Sequence, residues 1–193
     1  MKKPLLFAKE LVKEVLSPGG IAVDATCGNG YDTLFLAELV GAQGTVFAFD
    51  IQPEAISATQ KKLEAAHLSE RVKLLQTSHA HESFWPPAPV QAVMFNLGYL
   101  PGGNHEVITK PESTVAALQI ATTRLQPGGI ITLVVYTGHA GGQEEYEAVR
   151  NFCSKLPQKE YAVLEYKFIN QINHPPLLIA VKRLKNSLAL QES

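Results

Sequence analysis

Short apolar segments alternate with helical segments along most of the chain, and this alternation limits the possible fold more than any other sequence feature. Apolar runs of strand length are predicted at residues 21–25, 45–50, 72–76, 90–96 and 130–136. The apolar spacing of a helix is predicted at residues 5–16, 31–40, 53–67, 111–125 and 143–156. Strands joined through helices make right-handed crossovers, so the sequence predicts a mostly parallel sheet with helices on both faces.

Two more strands are predicted near the end of the chain, at residues 161–169 and 177–182, with Asn-His-Pro-Pro and no helix between them. Neighbouring strands without a crossover helix pair antiparallel. We therefore predict an α/β fold with a doubly wound, Rossmann-like sheet, mostly parallel with an antiparallel last strand. Residues 1–193 are expected to form a single domain, in which 1–17 supply an N-terminal helix and 186–193 a disordered tail.

The charge balance limits the kind of partner that the chain can bind. There are 17 Lys and Arg against 18 Asp and Glu, which gives a formal net charge of −1. Proteins that bind long stretches of nucleic acid non-specifically carry a basic excess. A nucleic-acid substrate would therefore be bound through a small local patch. The longest apolar run, 130–136, is too short to cross a bilayer, and we expect a cytoplasmic protein.

The loop after the first strand, Asp-Ala-Thr-Cys-Gly-Asn-Gly at residues 24–30, has the composition of a ligand-binding turn. Gly28 and Gly30 let the backbone approach a ligand, and the next helix offers unpaired N–H groups. In open α/β sheets, ligands bind at the carboxyl ends of the strands, near the point where the strand order reverses. The alternative is that the glycines only form a tight turn.

Asp50 ends the second strand, 22 positions after Gly28, where a carboxylate can accept hydrogen bonds from both hydroxyls of a ribose. A nicotinamide dinucleotide would use the same layout, but its fingerprint needs a third glycine where this chain has Thr33. Asp24 also fits a cationic amino-acid ligand better than a pyrophosphate. Alternatively, Asp50 only caps the following helix.

The loop after the fourth strand reads Phe-Asn-Leu-Gly-Tyr-Leu-Pro-Gly-Gly at residues 95–103. The side-chain carbonyl of Asn96 can accept a hydrogen bond from an amine and orient its lone pair. Tyr99 can stack on a base turned out of a helix or loop. The alternative is structural: Asn96 caps a turn and Tyr99 packs on the surface.

These motifs together resemble a known family. Residues 24–30 resemble motif I of the class I S-adenosylmethionine-dependent methyltransferases, with Thr26 replacing the first glycine, and residues 95–103 stand where motif IV stands. The Asn-Leu-Gly-Tyr segment, with Asn-Gln-Ile-Asn-His-Pro-Pro at 170–176, is similar to the putative rRNA methylases. That family includes the tRNA 5-aminomethyluridine methyltransferases of Gram-positive bacteria. The resemblance extends over residues 5–182.

The resemblance implies a class I methyltransferase fold, S-adenosyl-L-methionine as cofactor and N-methylation of a 5-aminomethyl group on the wobble uridine of the tRNA anticodon loop. It implies two catalytic residues, Asn96 and Tyr99. The implied cofactor-binding residues are Asp24, Thr26, Gly28, Asn29, Gly30, Asp32, Asp50, Ile51, Gln52, Ser78, His79 and Asn96. The alternatives are an rRNA substrate, a small amine substrate, or a cofactor-binding module without catalysis. A homodimer is one assembly that we consider.

Several histidines could take part in proton transfer. His105, His139 and His174 lie in predicted loops and could accept a proton from the amine, as bulk water also could. His79 and His81 have the i, i+2 spacing of metal ligands, but no third ligand accompanies them, so no metal is predicted.

Overall fold

The computed structural model describes residues 1–87, 89–98, 108–173 and 175–185. Its strands are β1 (Ile21–Asp24), β2 (Thr45–Asp50), β3 (Val72–Gln76), β4 (Val90–Leu97), β5 (Leu125–Val135), β6 (Tyr161–Tyr166) and β7 (Leu177–Arg183). Its helices are α1 (Pro4–Lys13), α2 (Tyr31–Val40), α3 (Pro53–Ala65), α4 (Pro111–Arg124) and α5 (Gly142–Ser154), with short 3₁₀ turns at Ser69–Arg71 and Glu82–Phe84.

The strands form one sheet in the order β3-β2-β1-β4-β5-β7-β6. The pairs from β3 to β5 are parallel, and β7 runs antiparallel to both β5 and β6. The predicted α/β sheet, mostly parallel with an antiparallel last strand, is confirmed. The strand order reverses between β1 and β4, so the connections that leave their carboxyl ends diverge and open a crevice there.

Alternate residues of β4 face opposite layers of helices. Val93, Phe95 and Leu97 are buried in a core that contains residues of α4 and α5. Ala92 and Met94 are buried in a second core with residues of α1, α2 and α3. Because side chains alternate along a strand, this period directs Asn96 toward the layer that contains α1 and α2. The side of the sheet on which Asn96 lies is therefore set by the hydrophobic pattern of β4.

One predicted turn is part of a strand in the structure. The sequence predicts a turn at residues 126–129, but the structure begins β5 at Leu125, which pairs with Val90, and resumes regular pairing at Ile130 opposite Ala92. The extra residues form an irregularity within the strand, where Gly128 has a φ of +83°. The predicted turn is wrong because Val90, the first residue of β4, pairs with Leu125, so β5 already begins before residues 126–129.

Several predicted boundaries are also wrong by a few residues. α1 ends at Lys13, before the predicted end at residue 16, and β6 ends at Tyr166, before 169. α3 ends at Ala65, and His67, the predicted last residue, has a φ of +56°, which is incompatible with helix continuation. Within the described residues, no helix has the length and apolar character needed to span a membrane.

Gly30 joins the loop after β1 to α2 and cannot carry a side chain without strain. Its φ is +79°, and a Cβ there would lie 2.9 Å from both the Cα and the Oγ1 of Thr59 on α3. Gly19 has nearly the same φ, +81°, but a Cβ there would meet nothing within 4 Å. The two glycines therefore separate the cost of left-handed backbone from the cost of steric overlap.

We predict that Gly30→Ala lowers the free energy of unfolding more than Gly19→Ala does. The backbone conformation alone costs about 1–2 kcal/mol for alanine, and overpacking against α3 adds about 1–3 kcal/mol at Gly30. Urea denaturation of the ligand-free protein measures both values. Equal losses in the two variants would contradict the close packing of Gly30 against Thr59.

Candidate active site

A cleft of about 1040 Å³ opens at the carboxyl ends of β1, β2 and β4, where the strand order reverses. Most of the predicted cofactor-binding residues line it: Thr26, Gly28, Asn29, Asp32, Asp50, Ile51, Gln52, Ser78, His79 and Asn96. The cleft is of the size that holds a cofactor or drug-sized ligand in other proteins.

Asp50 holds the first loop in place and still faces the cleft. Its Oδ2 accepts the N–H of Gly28 at 3.0 Å, and its Oδ1 accepts the N–H of Gln52 at 3.0 Å. Each oxygen of an ionised carboxylate can accept about two hydrogen bonds, so capacity remains on both oxygens for hydroxyl donors. This geometry suits the predicted contact with a ribose diol.

Asp32, in the first turn of α2, joins two other elements at the cleft. The ammonium Nζ of Lys9 on α1 lies 2.8 Å from its Oδ1, and the amide Nδ2 of Asn96 on β4 donates to its Oδ2. A carboxylate only accepts hydrogen bonds, so the nitrogen of the Asn96 amide must face it. The orientation of the amide is therefore fixed by its partner.

The other polar atom of the Asn96 amide, the carbonyl oxygen Oδ1, is an acceptor to which no described residue donates. Asn96 Oδ1 is buried and has no hydrogen-bond partner among the described residues. Leaving such an acceptor unpaired costs about 1–3 kcal/mol. The backbone of Asn96 is held as well, because its N–H donates to Thr26 Oγ1 at 2.7 Å. The side-chain carbonyl of Asn96 is thus held in a fixed orientation at the end of β4, as an acceptor that no described residue fills.

Two of the predicted cofactor-binding residues, Asp24 and Gly30, do not line the cleft. Asp24 is 1% exposed, accepting the hydroxyl of Thr33 at 2.6 Å and the N–H of Thr26 at 3.2 Å. Burial and then the charge of Asp32 raise the pKa of Asp24 to about 7. Its contacts join the loop after β1 to α2, and direct contact with a cationic ligand stays a prediction from the sequence.

His79 presents a second buried acceptor. Its Nδ1 lies 2.8 Å from the carbonyl of Ala25, which can only accept, so Nδ1 carries the proton. Burial lowers the pKa of His79, which keeps the ring neutral and leaves a lone pair on Nε2. That Nε2 is buried without a partner in the described part of the chain. Trp85 fixes the backbone here by donating its Nε1–H to the His79 carbonyl at 2.7 Å.

The remaining predicted residues are placed as follows. Tyr99, His105 and His174 lie outside the described residues, and their roles stay predictions. His139 lines the cleft, with Nδ1 at 2.9 Å from the carbonyl of Ala140. Nδ1 of His81 is 2.8 Å from the Thr77 hydroxyl. Over the ranges described, no group of three or more His, Cys, Asp or Glu side chains could hold a metal ion.

The sequence alone did not identify Lys9 and Thr109 as cleft residues. Both line the cleft, Lys9 from α1 and Thr109 from the segment before α4. Leu5 and Lys9 are four residues apart and so share one face of the predicted helix. This spacing was the one sequence feature that could have indicated that Lys9 belongs to the cleft. Where that helix packs on the sheet depends on contacts between distant segments, which the spacing does not reveal.

Comparison with known proteins identifies the family that the sequence motifs resemble. The model of a family described as putative rRNA methylases matches residues 46–182. The chain is 42% identical to the chloroplastic tRNA (mnm(5)s(2)U34)-methyltransferase of Arabidopsis thaliana, over 94% of this chain and 70% of that protein. It is 24% identical to a demethylmenaquinone methyltransferase of Lactobacillus johnsonii, over 94% of this chain and 71% of that protein.

Solved structures are similar over nearly the whole chain. A putative rRNA methylase from Clostridium thermocellum is 46% identical, with a TM-score of 0.93, covering 95% of this chain and 99% of that one. A putative methyltransferase from Streptococcus mutans, solved in complex with SAH, is 38% identical, with a TM-score of 0.88 and the same coverage.

Asp24 should make the stability depend on pH. Its carboxyl has a pKa of about 7 when folded and about 3.8 when exposed, so it binds a proton more tightly in the folded state. The stability that this supplies is complete at low pH and is lost as the pH rises through that range. Asp24→Asn removes the titration, so the stability of the variant relative to the natural protein should rise between about pH 4 and about pH 7.

One pKa unit corresponds to about 1.36 kcal/mol, so the relative gain should be on the order of a few kcal/mol. Urea denaturation at both pH values measures it. Glu38→Gln, which neutralises an exposed acid on α2, is the control for the change in net charge. A difference between Asp24→Asn and the natural protein that stays constant with pH would contradict the buried, protonated state of Asp24.

Proposed function

The chain belongs to the putative rRNA methylase family, and from this premise we propose that it N-methylates the 5-aminomethyl group on the wobble uridine of tRNA. It is an S-adenosyl-L-methionine-dependent methyltransferase with a Rossmann-like fold. The resemblance seen in the sequence motifs is thereby confirmed. The finer assignment of substrate and residue roles is our proposal.

The cofactor side of the cleft offers acceptors that suit this cofactor. Asp50 has acceptor capacity for a ribose diol, and the neutral His79 has a buried lone pair on Nε2 that suits an amino group. When bound, S-adenosyl-L-methionine supplies a methyl group attached to a positively charged sulfur. We assign its binding to the loops after β1, β2 and β3.

The single observation that carries the proposed chemistry is that no described residue donates a hydrogen bond to Asn96 Oδ1. An amine nucleophile donates an N–H to such a carbonyl, which directs the nitrogen lone pair into the cleft. Positive charge grows on the nitrogen as the methyl group is transferred, so this hydrogen bond strengthens in the transition state. Asp32 keeps the amide in the orientation that this requires, by accepting its Nδ2–H.

Lys9 gives the site a preference for the neutral amine. Its ammonium neutralises Asp32, to which it is 2.8 Å away. An unpaired carboxylate beside Asn96 would attract the protonated form of an aminomethyl group, which has no lone pair and cannot react. A nearby cation disfavours a second positive charge, so Lys9 favours the reactive form.

The tRNA assignment is supported by the relative from Arabidopsis and by the charge of the chain. That relative is a tRNA (mnm(5)s(2)U34)-methyltransferase and is 42% identical over an alignment that covers 94% of this chain. A net charge of −1 fits a small footprint, such as a few nucleotides of an anticodon loop. Tyr99 remains our sequence-based choice for stacking on the substrate base.

The test of this function is methyl transfer from labelled S-adenosyl-L-methionine to purified RNA. We expect labelling of tRNA that carries 5-aminomethyluridine at the wobble position and none of tRNA with an unmodified uridine there. The labelled nucleoside should be 5-methylaminomethyluridine by mass spectrometry. Labelling of rRNA or of a small amine in place of this tRNA would contradict the proposal.

Asn96→Ala should lower kcat by about 100-fold or more, which is typical for loss of one preorganised polar group at a transition state. Cofactor affinity should stay near that of the natural protein, because the side chain acts on the acceptor. Single-turnover methylation and calorimetric titration measure the two effects. Asn151→Ala, on the exposed surface of α5, is the matched control. Normal turnover in Asn96→Ala would move the chemistry elsewhere in the cleft.

Asp50→Ala should weaken S-adenosyl-L-methionine binding by about 1.5–3 kcal/mol, the range for hydrogen bonds to a charged group. The variant loses the acceptor for the ribose and the one that orders the amides of Gly28 and Gln52. Calorimetric titration measures the affinity, with Glu54→Ala, an exposed acid on α3, as the control. An unchanged dissociation constant in Asp50→Ala would refute its role in the cofactor site.

A further inference from the structure

Glu145 is a buried carboxylate that the proposed chemistry does not use. It lies in the first turn of α5 and is 1% exposed. Its Oε2 accepts the hydroxyl of Thr109 at 2.6 Å, and its Oε1 accepts the hydroxyl of Thr114 on α4 at 2.7 Å. A buried acid is costly unless its oxygens are hydrogen-bonded, and here each oxygen has a donor. Glu145 therefore ties α4 and α5 to the segment that contains Thr109.

Thr109 is in turn bonded twice to the end of β4. The N–H of Gly98 donates to Thr109 Oγ1 at 3.0 Å, and the N–H of Thr109 donates to the carbonyl of Gly98 at 3.0 Å. Gly98 follows Asn96 by two residues, and both line the cleft with Thr109. Two hydrogen bonds thus join Gly98 at the end of β4 directly to Thr109.

The Glu145 carboxylate determines which group donates and which accepts in the hydrogen bonds that run from Gly98 through Thr109 to Glu145. Because a carboxylate only accepts hydrogen bonds, the Thr109 hydroxyl donates to Glu145, and the lone pairs of that hydroxyl are left to accept the N–H of Gly98. An amide in place of the acid would bring a donor against one threonine, and the hydroxyl there could reverse. Glu145 therefore orients the Thr109 hydroxyl so that its oxygen can accept the hydrogen bond from the Gly98 N–H.

We propose that Glu145 is a positioning residue for the acceptor side of the cleft. Acting through Thr109, it holds Gly98 and hence the end of β4 where Asn96 lies. The inference rests on the proposed function, since Asn96 is assigned there to the amine. Asp50 and His79 make their hydrogen bonds to other segments, so loss of this path should affect the methyl acceptor and leave cofactor binding unchanged.

The test compares three threonine variants at saturating S-adenosyl-L-methionine. Thr109→Val keeps the shape and removes the hydroxyl, and it should lower kcat/KM for tRNA by about 10-fold or more, because small misplacements at reacting groups are expensive. Thr109→Ser restores the hydroxyl and should restore the rate. Thr122→Val is the control, because that buried hydroxyl bonds only to carbonyls of its own helix, α4, among the described residues. The cofactor dissociation constant should be the same in all three.

Glu145→Gln should reproduce part of the defect and add little to Thr109→Val when the two are combined, because both break one path. A physical readout accompanies the kinetics: the amide of Gly98 should exchange with deuterium faster in Thr109→Val than in Thr122→Val. Unchanged exchange, no rescue by Thr109→Ser, or a parallel loss of cofactor affinity would overturn the inference. Failure of the natural protein to methylate tRNA would instead reject the proposed function, and the exchange experiment would still decide on the role of Thr109.

Discussion

The parallel pairing of β1 with β4 at the centre of the sheet is the constraint on which the site depends. Ala22, Val23 and Asp24 lie opposite Ala92, Val93 and Met94, so the two strands end side by side. Only this register lets Thr26 accept the N–H of Asn96 and lets Asp32 hold its side chain. A shift by one residue would turn Asn96 to the opposite face of the sheet, where α4 and α5 pack.

In the function that we propose, the cleft has a cofactor half and an acceptor half, and different interactions hold each half in place. The cofactor half is held by backbone hydrogen bonds to Asp50 and by the locked ring of His79. The acceptor half depends on charged groups, with Lys9 and Asp32 holding Asn96 from one side and Glu145 holding the end of β4 from the other. Buried charges of this kind are costly alone, and here they are paired or hydrogen-bonded. Binding and chemistry can therefore be tested separately.

Much of this arrangement could be predicted from the sequence, because strand and helix periodicity fixed which loops reach the cleft. Asp50 and Asn96 were identified because each directly ends an apolar strand. Lys9 and Glu145 were not, because their partners, Asp32 and Thr109, are distant in sequence and the contacts depend on how helices pack on the sheet. The start of β5 was also missed because it depends on a contact between distant residues. The glycine-rich segment was interpreted as a turn, but Leu125 before it pairs with Val90.

We propose that this chain converts the 5-aminomethyl group of a wobble uridine in tRNA to its methylated form. Mass spectrometry of tRNA and rRNA nucleosides from a strain lacking the gene tests it most directly. We expect that 5-methylaminomethyluridine disappears from tRNA, that 5-aminomethyluridine accumulates, and that the natural gene restores the methyl group. An unchanged level of the methylated nucleoside in tRNA, with a methyl group missing from rRNA instead, would contradict it.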